Sequence, residues 1–189
     1  MTLEEQGALY LAALRRTRIA VPEGTLLYRA AEEVLEMAVA YQSDGMAFLR
    51  AGDHVNALAG FAYGLGWLDA GSRLGLLLPL AAHPPGEAGV CIPEALATRL
   101  DEKTHRYRRM LQSALPAIEV GPDEASPLFC GAEELRSTAR CWCAGGVNRL
   151  DAGDPAGALA RFSYGYAWLD AGIRAGLFRI TGERGLFTV

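Results

Sequence analysis

The chain repeats itself. The segment from Leu49 through Leu77 returns 101 positions later as Leu150 through Phe178, with 18 of 29 positions identical and no gap. The first copy reads Ala57-Leu58-Ala59-x-Phe61-x-Tyr63-Gly64-x-x-Trp67-Leu68-Asp69-Ala70-Gly71-x-Arg73-x-Gly75. The second reads Ala158-Leu159-Ala160-x-Phe162-x-Tyr164-Gly165-x-x-Trp168-Leu169-Asp170-Ala171-Gly172-x-Arg174-x-Gly176. Self-similarity at a fixed offset means that one structural unit is written twice, and it limits the fold to architectures with two equivalent halves.

The register extends upstream. Ala31-Glu32-Glu33 matches Ala132-Glu133-Glu134, Tyr41 falls opposite Trp142, and Leu14 opposite Leu115. Each copy is then about 85 to 90 residues, enough for one small domain. Between them Pro79, Pro84, Pro85 and Pro93, with Gly86 and Gly89, interrupt helix formation and read as a joint. The expected division is 1–78, a linker over 79–93, and 94–189.

Within a copy the apolar spacing is helical. A first helix is expected over Leu3 to about Arg16, ended by Val21-Pro22-Glu23-Gly24. A second is expected from about Thr25 to Ala51, with Gly52 at the left-handed closing position and Asp53 capping the next helix. In the second copy Pro155 follows Asp154, which suits a first helical position. The third helix, about 54–77 and 155–178, carries the repeated signature. Leu58, Phe61, Leu65 and Leu68 step by three and four, and Tyr63, Trp67 and Ala70 form a second stripe. No window alternates as a strand does, apart from a short extended tail over Leu186 to Val189. The expected fold is all-α: two tandem three-helix up-down-up bundles, packed about a pseudo-twofold axis.

Glycine is the unusual component, with 22 residues, about 12% of the chain. Gly64, Gly66, Gly71 and Gly75, with Gly165, Gly172 and Gly176, fall inside the expected third helices. Each costs roughly 0.8–1 kcal/mol of helix propensity relative to alanine. Close approach of another backbone or ring would offset that cost.

Composition removes several function classes. Eighteen Lys+Arg against 22 Asp+Glu leave no electrostatic footprint for nucleic acid. The greasiest stretch, Leu74 to Ala82, is about half a membrane span and contains Pro79. Glu4 and Glu5 stand where a secretory leader would be basic. Four scattered cysteines are too few to staple such a chain, so a reducing cytoplasm with free thiols is expected. Cys141-Trp142-Cys143 cannot bind one ion from a helix, because residues two apart point about 200° apart. His54, His83 and His105 are scattered, and no histidine, carboxylate and nucleophile set supports acid–base catalysis. His105-Arg106-Tyr107-Arg108-Arg109 reads as a solvated basic helix face. No metal, cofactor or catalytic residue is therefore assigned.

The candidate binding residues are Tyr63, Trp67, Asp69 and Arg73 with their copies Tyr164, Trp168, Asp170 and Arg174. Asp69 and Arg73 lie four apart, as do Asp170 and Arg174. They either line a pocket in which the guanidinium grips an anion, or form a helix ion pair. Tyr63 and Trp67 offer either a flat stacking surface or core packing.

The stretch Gly52-Asp53-x-x-Asn56-Ala57-Leu58-Ala59-x-Phe61-x-Tyr63-Gly64-x-Gly66-Trp67-Leu68-Asp69-Ala70-Gly71-x-Arg73-x-Gly75 resembles the archaeal "domain of unknown function 357" family. The closing Gly185-Leu186-Phe187-Thr188-Val189 is similar to the ends of such chains. The resemblance implies a three-helix bundle per copy, a cytosolic archaeal source and no catalytic residues to carry over. Members usually resemble single-copy proteins, so the duplication would fuse a homodimer into one chain. Pro155-Ala156-Gly157 replaces His54-Val55-Asn56 in the second copy. The leading expectation is a non-enzymatic helical scaffold or interaction module with a protein partner or self-association. The alternative is a binder of a nucleotide or other anion.

Overall fold

The computed structural model describes residues 1–80, 83–84 and 90–188. Each repeat supplies three long helices: α1 (Leu3–Arg16), α2 (Tyr28–Arg50) and α3 (His54–Arg73), then α4 (Ala97–Ala114), α5 (Pro127–Asp151) and α6 (Pro155–Arg174). Of the expected linker, residues 81–82 and 85–89 lie outside the described residues, as does Val189 of the expected tail.

The local rules that start and stop the helices are visible. Thr2 and Glu5 close a capping box on α1, at 3.1 and 2.7 Å. Asp53 accepts from the Asn56 amide at 3.1 Å, and Asp154 from Gly157 at 2.8 Å. Gly52 and Gly153 take φ of 74° and 76°. The α2 helix begins at Tyr28 rather than Thr25, because the Thr25 hydroxyl donates to the Pro22 carbonyl (2.8 Å) instead of capping the helix.

Three expectations change. Gly75 and Gly176 are not inside helices, since α3 and α6 end at Arg73 and Arg174. Both glycines adopt positive φ, 72° and 74°, and close the helices: Leu76 N–H donates to Gly71 C=O and Gly75 N–H to Ser72 C=O. Short strands are also present. In the first repeat β1 (Arg18–Ile19) pairs antiparallel with β2 (Leu77–Leu78). In the second, β3 (Ile118–Val120) pairs with β4 (Phe178–Ile180). Each ties the end of a repeat's first helix to the end of its third. Two or three residues are too few to show a period of two. The tail is not simply extended: Arg184–Leu186 forms a 3-10 turn, and Phe187, which follows it, is extended.

Helices α3 and α6 are buried around nearly their whole circumference and pack against each other at the centre. Helices α2 and α5 flank them. The buried side chains of both repeats form one continuous core, with Trp67, Phe61, Phe162 and Tyr164 among its largest members.

Candidate functional site at the joint between the repeats

The glycines and small residues of α3 and α6 set how closely the repeats approach. A Cβ on Gly66 would fall 2.6 Å from the Tyr164 carbonyl oxygen and 2.7 Å from the Ala167 Cβ. Ala167 is the equivalent of Gly66 in the second repeat, so the two helices cross where one sequence position meets its own copy. Gly64 faces the Tyr10 hydroxyl and Tyr41. Gly165 faces Trp142, and Gly71 and Gly172 face Val34 and Phe178.

That approach brings the repeated polar residues together crosswise. Tyr63, from the first repeat, donates its hydroxyl to the Asp170 carboxylate of the second. Tyr164 donates to Asp69 at 2.5 Å, reversing the direction. Arg73 grips Glu134 through Nε and Nη2 at 2.6 and 2.7 Å, while Arg174 reaches Glu33 at 3.1 Å. Every one of these contacts has its counterpart at an offset of 101, the reciprocity of an isologous dimer interface within one chain. The Asp69–Arg73 and Asp170–Arg174 pairs of the i, i+4 reading are thus exchanged for partners in the opposite repeat.

Each carboxylate receives a further cap from a chain segment beyond the third helix of its own repeat. The His83 amide donates to Asp69 Oδ2 at 2.5 Å and the His83 Nδ1 lies 2.8 Å from Oδ1. The Thr188 amide donates to Asp170 Oδ1 at 3.3 Å. His83 and Thr188 sit in irregular segments and carry no periodic signal, so nothing in the sequence connects them to the aspartates. The Tyr63 and Trp67 rings meet edge-on, with centroids 6.2 Å apart, as part of the core; Tyr164 and Trp168 repeat the 6.2 Å separation.

Burial dominates the electrostatics. Asp69 and Asp170 are 3% and 0% exposed. Desolvation pushes the Asp170 carboxyl up to about 6, opposed by the hydrogen bonds from Tyr63 and Thr188 and by Arg174. The Tyr63 and Tyr164 hydroxyls are raised well above the usual tyrosine range by burial first and by the facing carboxylate second. They stay protonated and act as donors.

Elsewhere Cys141 is exposed and Cys143 buried on α5. The basic face of α4 is partly built in: Lys103 Nζ donates to Asn56 Oδ1 at 2.5 Å. Burial, reinforced by Arg106, lowers its ammonium to about 8. No group of His, Cys, Asp and Glu side chains among the described residues is arranged to hold a metal ion. No helix among the described residues is long and apolar enough to cross a membrane.

Fold and joint together define an all-helical tandem repeat in which one chain makes a reciprocal, dimer-like interface with itself. A family model described as "Protein of unknown function (DUF357)" matches residues 9–77 and again 106–178, together about three-quarters of the chain. The protein belongs to that family and carries its domain twice. It matches no curated protein and no solved structure.

Proposed function

We propose that this protein is a non-enzymatic helical interaction module, a fused pseudo-dimer that holds two copies of one bundle in a fixed mutual arrangement. The observation that carries the reading is the crossed pairing of Tyr63 with Asp170 and Tyr164 with Asp69. The tyrosine hydroxyls and aspartates that the duplication retains inside an apolar stripe are engaged with each other, and they hold the repeats together. The anion-binding alternative ranks second, because Arg73 and Arg174 already hold Glu134 and Glu33. The archaeal, cytoplasmic setting implied by the sequence resemblance belongs to this reading, and four free thiols suit a reducing compartment.

The test is incubation of the intact chain with a metabolite panel, followed by mass spectrometry. The expected result is no conversion. Conversion of any compound that Asp69→Asn or Asp170→Asn abolishes would contradict the reading.

A further inference from the structure

Two of the places where the repeats have diverged meet in one cleft. Asn56, near the start of α3, and five side chains of α4 (Arg99, Glu102, Lys103, Arg106 and Arg109) line a polar space of about 420 Å³ between the first repeat and the second. Asn56 Oδ1 accepts from Lys103 Nζ at 2.5 Å, and Asp53, which caps α3, accepts from Arg99 at 2.6 Å. At the offset of 101, Gly157 stands for Asn56, and Thr2, Glu5 and Ala8 stand for Lys103, Arg106 and Arg109. The equivalent surface of the other half therefore has neither these cations nor the amide that holds Lys103.

Positive charge is concentrated here. Four cations and one carboxylate line the cleft, in a chain whose net charge is −4. Lys103, Arg106 and Arg109 follow one another at three-residue steps, where neighbouring side chains lie about 5–6 Å apart and like charges repel. Lys103 is half-buried, and burial together with the charge of Arg106 lowers its ammonium to about 8. Arg99 is paired with Asp53, whereas Arg106 and Arg109 are exposed and form no ion pair among the described residues. An anion in the cleft relieves that repulsion and accepts charge-assisted hydrogen bonds from the guanidinium forks.

We propose that this cleft binds one small molecule per chain through a di- or triphosphate group, which lies across Lys103, Arg106 and Arg109. The volume is that of a small-ligand site. Linked phosphates place several negative charges within the roughly 5–6 Å between neighbouring cations, which the single carboxylates of a protein segment do not. The site is separate from the aspartates of the joint, so its failure leaves the interaction-module reading as it stands.

The probes are inorganic tripolyphosphate and ATP, each titrated into the intact chain by calorimetry at about 0.15 M ionic strength, where diffuse attraction is screened. The expected result is saturable binding of one tripolyphosphate per chain. Arg106→Glu combined with Arg109→Glu should weaken it by about tenfold or more; both positions are exposed, and an unchanged unfolding midpoint confirms that the fold is kept. Arg140→Glu, at an exposed arginine of α5 outside the cleft, should leave binding unchanged. Equal affinity for ATP identifies the phosphate chain alone as the recognised group, and tighter binding of ATP identifies a nucleotide as its bearer. Absence of saturation, two sites per chain, or undiminished binding to the doubly reversed variant would each overturn the assignment. A hexaglutamate peptide that binds as tightly as tripolyphosphate would give the cleft to an acidic protein segment and overturn it too.

Discussion

Gly66 and Ala167 occupy the same position in the two repeats and face each other where α3 crosses α6. The joint has no room for a larger side chain there. Gly66→Leu should therefore destabilise the chain by more than about 1 kcal/mol despite leucine's better helix propensity. Gly64→Leu should do the same, against Tyr10 and Tyr41. Urea unfolding midpoints decide it; a variant more stable than the parent would refute the close-approach argument.

Gly131 is the internal control. It lies within α5, and an added Cβ would meet nothing within 4 Å. Gly131→Ala should raise stability by roughly 0.5–1 kcal/mol through helix propensity alone. Opposite signs at Gly131 and Gly66 would separate packing from propensity in one set of melts.

The Asp170 carboxyl titrates at about 6 in the folded chain against 3.8 for an ordinary aspartate. The folded state therefore binds this proton more tightly than the unfolded state does. The resulting stabilisation is complete below about pH 4 and is lost as pH rises through about 6. Its size is on the order of 2–3 kcal/mol. The difference in unfolding free energy between the parent and Asp170→Asn, followed from pH 4 to 7, should change over that window and in that direction. A constant difference would contradict the burial argument.

The exposed Arg73–Glu134 pair has side chains 57% and 47% exposed, so solvent screens it. Arg73→Ala should cost less than about 1 kcal/mol. Arg174, 32% exposed, also approaches the Thr188 carbonyl at 3.4 Å, and Arg174→Ala should cost more. Thermal melts of the two variants, side by side, check the order.

Much of this was legible beforehand. The offset of 101 locates both repeats, the apolar spacing places the helices, and Gly52, Asp53 and Asp154 mark their boundaries. What periodicity does not contain is which copy a side chain faces. Asp69 and Arg73 share a helix face, which suits either a pocket or a local ion pair, yet Arg73 meets Glu134 of the other repeat, and Asp69 meets Tyr164 of the other repeat and His83 of its own. Gly75 and Gly176 looked interior because the apolar pattern runs on through Leu76 and Leu177 after the helix has turned. His83 and Thr188 act through backbone amides, which any residue carries. Their role depends on where the chain returns after β2 and β4, a tertiary fact with no local signature.

The central claim is that Tyr63 with Asp170, and Tyr164 with Asp69, join the repeats. A double-mutant cycle on the intact chain tests it most directly, using Tyr63→Phe, Asp170→Asn and the pair, with urea unfolding at pH 7. The account expects Tyr63→Phe alone to cost about 1.5–3 kcal/mol, because a buried carboxylate loses its donor. The pair should cost less than the sum of the single variants, by at least about 1 kcal/mol. Strictly additive single effects would show that the two residues do not act together, and the fused pseudo-dimer would lose its fastening.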